Sequence, residues 1–269
     1  MSVTGHCNIY LFVKKLDFRY SNRTLITYLE NLFMSQLKTL RSKNFFLSSL
    51  PEEDYERLQP YLESVEMGIG DFLHKPNEPI QYIYFPENAV VSSVTFLKDG
   101  SSSETGIIGK EGVAGITPVL ADDVSPREAT VQVADGLLKI ETEKFKEEFH
   151  RGGALQRLSL RFVFAFMSQL SQNIACAHHH RIEARLARWL LMIHDRIEEN
   201  DLEITQEFIA QMIGVQRTGV SENANKLQEQ GLIEYSRGHI TILDRQGLKV
   251  VTCECYQIIK EAYDSYLNI

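Results

Sequence analysis

The chain has 269 residues, 43% apolar and 24% charged, with a formal net charge of -8 at pH 7. That length and apolar content suffice for two domains with their own cores, while the negative charge excludes indiscriminate binding of polyanions, so any nucleic-acid contact must be local. No apolar run approaches the roughly 18 residues that a membrane helix needs. The segment "NIYLFV" followed by Lys14 and Lys15 lacks a signal-peptide layout. Four scattered cysteines (Cys7, Cys176, Cys253, Cys255) make no disulfide framework. A cytoplasmic protein with no membrane partner is expected.

Residues 1–33 match no later pattern and are read as an N-terminal extension, a candidate for disorder. The run "LRSKNFFLSSLPEEDYERL" then predicts an amphipathic helix. From Val65 to Glu141 short alternating runs are separated by turn signals, as in "IQYIYFPENAVVSSVTFLKDG" with its Lys98-Asp99-Gly100 turn. The clearest predicted hairpin is "ATVQVADGLLKIE", with Asp135-Gly136 between two alternating runs. Regular short strands of this kind suggest a closed roll or a sandwich.

After Phe149 the period becomes helical, with Leu155, Leu158, Phe162, Phe166, Leu170 and Ile174 along one face of one long helix. Phe164 and Met167 widen the apolar surface beyond what a lone roll covers. A second copy of the helix is the natural partner, with packing on its own roll as the alternative. "RIEARLARWLLMIHDRI" predicts another amphipathic helix with Ile182, Leu186, Trp189, Leu190 and Ile193 inward and Arg181, Arg185, Arg188 and Arg196 mostly outward. "DRQGLKVVTCECYQIIKEAYDSYL" reads as a closing helix that buries Val251, Cys255, Ile258, Ile259 and Tyr263.

Between the last two lies "ITQEFIAQMIGVQRTGVSENANKLQEQGLIEY", two short helices hinged at Gly214. Thr205 is placed to cap the first, and Phe208, Ile209, Met212 and Ile213 form its apolar face. The second buries Val220, Ala224 and Leu227, leaving Thr218, Ser221, Glu222 and Asn225 outward beside Arg217. This distribution suits a helix that enters a DNA groove, and it also suits a helical hairpin with a polar face. Arg217 is fit to read guanine, Thr218 and Ser221 several bases, while Lys226, Arg237 and Arg245 suit phosphate. The hairpin "LIEYSRGHITIL", with Arg237-Gly238 at its tip and His239 adjacent, would be a wing. From Leu202 to Gln246 there are four Lys/Arg (Arg217, Lys226, Arg237, Arg245) against six acids (Glu203, Glu207, Glu222, Glu229, Glu234, Asp244).

"RLARWLLMIHDR", "ITQEFIAQMIGVQRTGV" and "LQEQGLIEYSRGHITILDR" together resemble the winged helix-turn-helix of the Crp/Fnr transcription regulators, the family of the cyclic-AMP receptor protein. Upstream, "YIYFPENAVVSSV", "IIGKEGVAGI" and "PREATVQV" resemble that family's β-roll. The resemblance spans roughly Phe45 to Leu248 and implies an α+β chain. Its expected parts are a jelly-roll, cyclic-nucleotide-binding-like domain (34–150), a dimerisation helix (151–180) and a winged helix-turn-helix with closing helix (181–269). It implies a non-enzymatic homodimer that binds double-stranded DNA and engages RNA polymerase. Gln216, Arg217, Thr218, Ser221, Glu222, Asn225, Lys226, Arg237 and His239 are its DNA-contact candidates. Arg217 matches the family's guanine-reading arginine, whereas Glu222 departs from the basic residue of the cyclic-AMP receptor protein.

The effector-pocket candidates by the same resemblance are Glu111, Gly115, Ile116, Arg127, Glu128 and Ala129. Arg127 falls where a phosphate-binding arginine belongs, but Ile116 replaces the ribose-binding acid and Glu128 a small hydroxyl residue. A purely structural roll or an effector other than cyclic AMP is therefore expected, and no cofactor is assigned. Ser168 and Ser171 are offered by the long helix as base contacts. No metal site is assigned either: consecutive histidines (His178, His179, His180) point to different helix faces, and Cys253-x-Cys255 is not a zinc spacing. Cys176, Cys253 and Cys255 stay as thiol candidates, a thiol pair or metal site arising if the closing helix packs beside the long one. With His74 the only histidine between Val65 and Glu141, a catalytic metal in the roll is not expected. Two other readings remain, a protein-interaction module whose winged helix has lost DNA binding and a thiol- or metal-responsive regulator.

Overall fold

The computed structural model describes residues 41–197, 199–236 and 238–267. The N-terminal extension, Cys7 and Arg237 lie outside the described residues. The helix predicted first is two short ones, α1 (Phe45–Ser48) and α2 (Glu52–Leu58). Pro51 lies between them, and it both lacks an N–H and disfavours helical backbone in the residue before it. Asn44 caps α1 by accepting from Leu47 N at 3.1 Å, and its amide donates to Pro86 O and Gly112 O at 2.8 and 3.0 Å. The cap thereby fastens the helix to the roll.

Seven strands follow: β1 (Glu63–Val65), β2 (Phe72–His74), β3 (Tyr82–Pro86), β4 (Val90–Phe96), β5 (Ser102–Ile108), β6 (Glu128–Val133) and β7 (Leu137–Glu141). They form two antiparallel sheets, β1-β7-β3 and β2-β6-β4-β5. The turn at Lys98-Asp99-Gly100 joins β4 to β5 as expected, with Asp99 Oδ1 accepting from Ser101 N at 2.9 Å. The hairpin expected at Asp135-Gly136 does not form: β6 pairs with β2 and β4, while β7 pairs with β1 and β3. There the chain turns from one sheet into the other alongside the corner between β3 and β4, because Val90 pairs with Val133 and Pro86 with Leu137. Burial on both inner faces outweighs the local turn signal.

Helix α3 (Thr142–His150) leads to α4 (Ala154–His179), 26 residues long. Leu155, Leu158, Phe162 and Ala165 of α4 are buried. Ile174, expected on this face, is exposed instead, because the buried stripe continues through Gln169 to Cys176. The approach to β5 is close, since a Cβ on Gly106 would lie 2.8 Å from Phe166 Cε2. In the order β2-β6-β4-β5, β5 is an edge, and Gln169 completes it. Its Oε1 accepts from Ile107 N and its Nε2 donates to Ile107 O, both at 3.0 Å, while Nε2 also reaches Tyr263 Oη at 2.6 Å.

Helix α5 (Ile182–His194) is buried all round from Leu186 to Ile193; Arg181 is exposed as expected and Arg185 half-buried, whereas Arg188 and Arg196, expected outward, are buried. Arg188 lies under the surface beside Asn173, and Arg196 just beyond the helix pairs with Glu111 at 2.7 Å and donates to Met192 O at 2.6 Å. The roll on one side and the C-terminal helices on the other leave the Leu186–Ile193 stretch of α5 no solvent face. Glu104 of β5 joins the two sides: Ser92 Oγ donates to it at 2.6 Å and Trp189 Nε1 at 3.2 Å. Burial pushes its carboxyl up to about 7 against those hydrogen bonds.

The C-terminal part comprises β8 (Asp201–Glu203), α6 (Gln206–Ile213), α7 (Arg217–Glu229), β9 (Ile233–Ser236), β10 (His239–Ile242), α8 (Arg245–Val251) and α9 (Cys255–Leu267). A small sheet runs β8-β10-β9. The single closing helix is thus two, broken at Thr252-Cys253-Glu254. Helix α9 packs on α4 and buries Cys255, Tyr256, Ile259, Tyr263 and Tyr266, leaving Ile258 exposed, while Val251 of α8 is half-buried. Among the described residues no helix is long and apolar enough to cross a membrane.

Two stability predictions follow from this packing. Replacing Gln169 by Ala leaves the Ile107 amide and carbonyl and the Tyr263 hydroxyl without their partner, and is expected to lower unfolding free energy by about 3 kcal/mol in urea titrations. Glu104 carries a carboxyl pKa raised from 4.5 to about 7, so the stability linked to it is present below 4.5 and lost as pH rises through 7. The loss amounts to at most about 3 kcal/mol. Glu104→Gln, a mimic of the protonated acid, is expected to shrink the drop in melting temperature between about pH 5.5 and pH 8; an unchanged drop would refute the assignment.

Candidate nucleic-acid interface

Local chemistry fixes the two-helix unit. Thr205 Oγ1 accepts from Phe208 N at 3.2 Å and starts α6. Gly214 ends it at φ 65° and ψ 51°, a left-handed conformation that a Cβ disfavours. Val215 N then donates back to Ala210 O at 2.9 Å, and the Arg185 guanidinium of α5 donates to Ile213 O, so these two carbonyls at the end of α6 are satisfied. The chain is turned directly into α7, whose preceding residue Gln216 gives no side-chain cap.

Helix α7 buries Val220, Asn223, Ala224 and Leu227, with Asn223 Nδ2 donating to Gly219 O at 2.7 Å. The opposite side presents Arg217, Thr218, Glu222, Asn225 and Lys226 exposed and Ser221 half-buried, with Gln216 exposed just before the helix. These are the residues that sequence spacing brought to one face. The strands β9 and β10 form the wing, tied to α7 where Tyr235 N donates to Gln228 Oε1 at 2.7 Å. His239 is exposed at the start of β10. Arg245, expected to face phosphate, is turned inward instead: it pairs with Asp195 and donates to Tyr256 Oη at 3.0 Å. Asp195 drew it in, a neighbour 50 residues away in the chain.

In the roll, Gly115, Ile116, Arg127 and Ala129 line one cavity of about 240 Å³, closed on the α4 side by Phe162 and Met167 among others. Glu111 and Glu128 do not share it. Glu111 is committed to Arg196, and Glu128 alternates to the other side of β6 from Ala129, where burial raises its carboxyl pKa and Lys75 opposes the rise. Ser168 donates to Phe164 O on its own helix, and Ser171 is exposed. Ser125, which sequence reasoning passed over, and His74, which it weighed only as a metal ligand, also line the cavity. Burial lowers the His74 pKa to about 4, so the ring is neutral, and its Nδ1 is buried without a hydrogen-bond partner. A second cavity of about 430 Å³ lies between the roll and α5 and α6, and Arg127 reaches both. Cys176, Cys253 and Cys255 come together at the C-terminal end of α4.

Comparison with known proteins agrees with this architecture. Residues 184–251 match the Crp-like helix-turn-helix domain. The global nitrogen regulator of Nostoc sp. is 23% identical over 193 residues, which is 68% of this chain and 85% of that protein. FixK2 of Bradyrhizobium japonicum shares the fold with a TM-score of 0.62 at 15% identity, over 71% of this chain and 98% of its own. A Crp/Fnr-family transcriptional regulator of Thermus thermophilus does so with a TM-score of 0.56 at 18% identity, over 70% and 97%. Residues 184–251 thus carry a Crp-like helix-turn-helix domain, and the fold of the chain is that of these solved structures.

Proposed function

We propose that this chain is a DNA-binding transcription regulator of the Crp/Fnr type that acts as a homodimer on a two-fold-symmetric duplex site, one α7 in the major groove of each half-site. The observation that carries the reading is the polar face of α7, displayed by the Gly214 turn while the other face is buried. Arg217 then reads guanine, with Thr218, Ser221, Glu222 and Asn225 on neighbouring base edges. Gln216, Lys226, Arg237 and His239 hold phosphate. RNA polymerase is the protein partner of the DNA-bound dimer.

Dimerisation through α4 is supported by one stripe of side chains exposed in the single chain: Leu160 (49%), Phe164 (72%), Met167 (58%) and Ile174 (64%). They recur at three, four and seven residues, the spacing of a helix–helix seam, and leaving them in water is unfavourable. The roll, in this proposal, answers to a ligand other than cyclic AMP. Ile116 stands in place of an acid for the ribose hydroxyl, and Glu111 is held by Arg196.

Selection from a random duplex library by the purified chain is expected to enrich a palindrome. Arg217→Ala is expected to lose it while remaining dimeric. Phe164→Glu is expected to scatter light as a monomer and to lose the palindrome with its circular dichroism unchanged. Enrichment of an asymmetric site, or a palindrome indifferent to Arg217, would overturn the proposal. In a calorimetric titration cyclic AMP is expected to give no saturable heat; a one-site isotherm would reverse that part.

A further inference from the structure

The end of α4 carries a cluster that DNA reading does not use. Cys176 lies on its last turns, and His180, four residues on, is the residue where α4 stops and the chain turns into α5. Cys253 sits in the break between α8 and α9, and Cys255 opens α9. One donor atom from each of the four lies within 4.8 Å of all the others. Cys176 Sγ is 3.5 Å from Cys253 Sγ, and Cys255 Sγ is 3.4 Å from His180 Nδ1.

Those separations suit the edges of a coordination tetrahedron. With metal–sulfur bonds of about 2.3 Å and metal–nitrogen bonds of about 2.0 Å, its donors stand roughly 3.5–3.8 Å apart. The surroundings suit a metal as well. His180 Nε2 lies 3.3 Å from Glu254 Oε2, so an imidazole that ligates through Nδ1 donates its remaining N–H to a carboxylate, which fixes tautomer and ring orientation. Gln172 Nε2 donates to Cys255 Sγ at 3.1 Å. The three cysteines are buried, and Arg185 and Arg188 lie within electrostatic reach of Cys176. Three thiolates around a divalent ion leave one net negative charge, which those guanidinium groups offset.

We propose that Cys176, His180, Cys253 and Cys255 form a site for one tetrahedral, thiophilic divalent cation of the zinc type. Binding takes three thiol protons into solvent and ties the junction of α4 and α5 to the junction of α8 and α9. The closed Cys3His donor set leaves no open position, so the ion is structural. Thiolates that hold a multi-iron cluster surround a wider cage than these four donors do. The inference goes beyond the DNA-reading proposal and does not rest on it, since its readout is the metal.

The test uses the full chain, untagged and purified under reductant without chelator. Elemental analysis is expected to give about one zinc per chain. After chelator treatment, cobalt(II) is expected to produce the visible bands of a tetrahedral ion with thiolate-to-cobalt charge transfer, reversed by added zinc. Cys176→Ser and Cys253→Ser are each expected to reduce bound metal to under about a tenth of the parent level and abolish the bands. Cys7→Ser and His179→Ala are expected to retain both, and circular dichroism reports whether each variant folds. The cobalt titration of the parent chain needs no variant to fold. A parent chain without metal or cobalt bands would overturn the proposal. So would iron with sulfide, a Cys176–Cys253 disulfide in the freshly purified chain, or full metal content in folded Cys176→Ser and Cys253→Ser.

Discussion

The amide of Gln169 does the work of a missing strand. β5 is the edge of its sheet, and the Ile107 N–H and C=O there are covered by α4 and so have no water to turn to. A side chain with one acceptor and one donor in a fixed plane satisfies both, and few residue types can. The same amide group reaches Tyr263, so sheet edge, long helix and last helix meet at one buried hydrogen-bonded point. Seating α4 there demands a residue without a side chain at Gly106, and it decides which face of α4 is left outward. The exposed stripe through Phe164 and Met167 is a consequence of where Gln169 is held.

Polar groups also join the winged unit to the roll. Glu104 takes the Trp189 indole and Glu111 takes Arg196, while within the C-terminal part Asp195 takes Arg245 and the Tyr256 hydroxyl. Buried pairs of this sort contribute little net stability, because desolvation opposes the attraction. They do make misplacement costly: moving α5 away from β5 strands Arg196 and Glu111 as unpaired buried charges, where an apolar contact would simply slide. The arrangement therefore selects one relation of α5 to the sheet. It also explains part of the charge balance. Three arginines that look like phosphate contacts or solvent-facing charge in the sequence, Arg188, Arg196 and Arg245, are used internally.

What the sequence disclosed was governed by local rules. The period of α4, the Thr205 cap, the Gly214 turn and the sides of α7 depend on neighbours three or four residues away, and each was legible. What it hid depended on partners far along the chain. Asp135-Gly136 has the chemistry of a tight hairpin, yet its flanking runs find better partners in two different sheets. Arg188 and Arg196 look outward by periodicity until the second wall around α5 is known. His180 was masked by its two neighbours. Taken in pairs, the histidines do point apart, but Cys176 and His180 are separated by three residues at a helix end, which puts them on one side.

The same internal use of charge bears on how the proposed dimer would hold DNA. With Arg245 engaged by Asp195, the exposed cations of α7 are Arg217 and Lys226, and Glu222 stands between them. A helix so sparsely charged releases few counterions from duplex DNA, so a single copy has a weak and shallow dependence on salt. Its discrimination must come from hydrogen bonds to base edges, which are short-ranged and need a fixed approach. In the proposed dimer the second α7 adds its contacts at high effective concentration, provided the spacing of the two helices is rigid. That rigidity is what the Gln169 anchor and the buried ion pairs around α5 supply. A weakly charged reading head and a stiffly mounted one are, on this argument, two sides of one design: the acidic surface suppresses attachment to arbitrary sequence, and the mounting restores affinity where both half-sites fit.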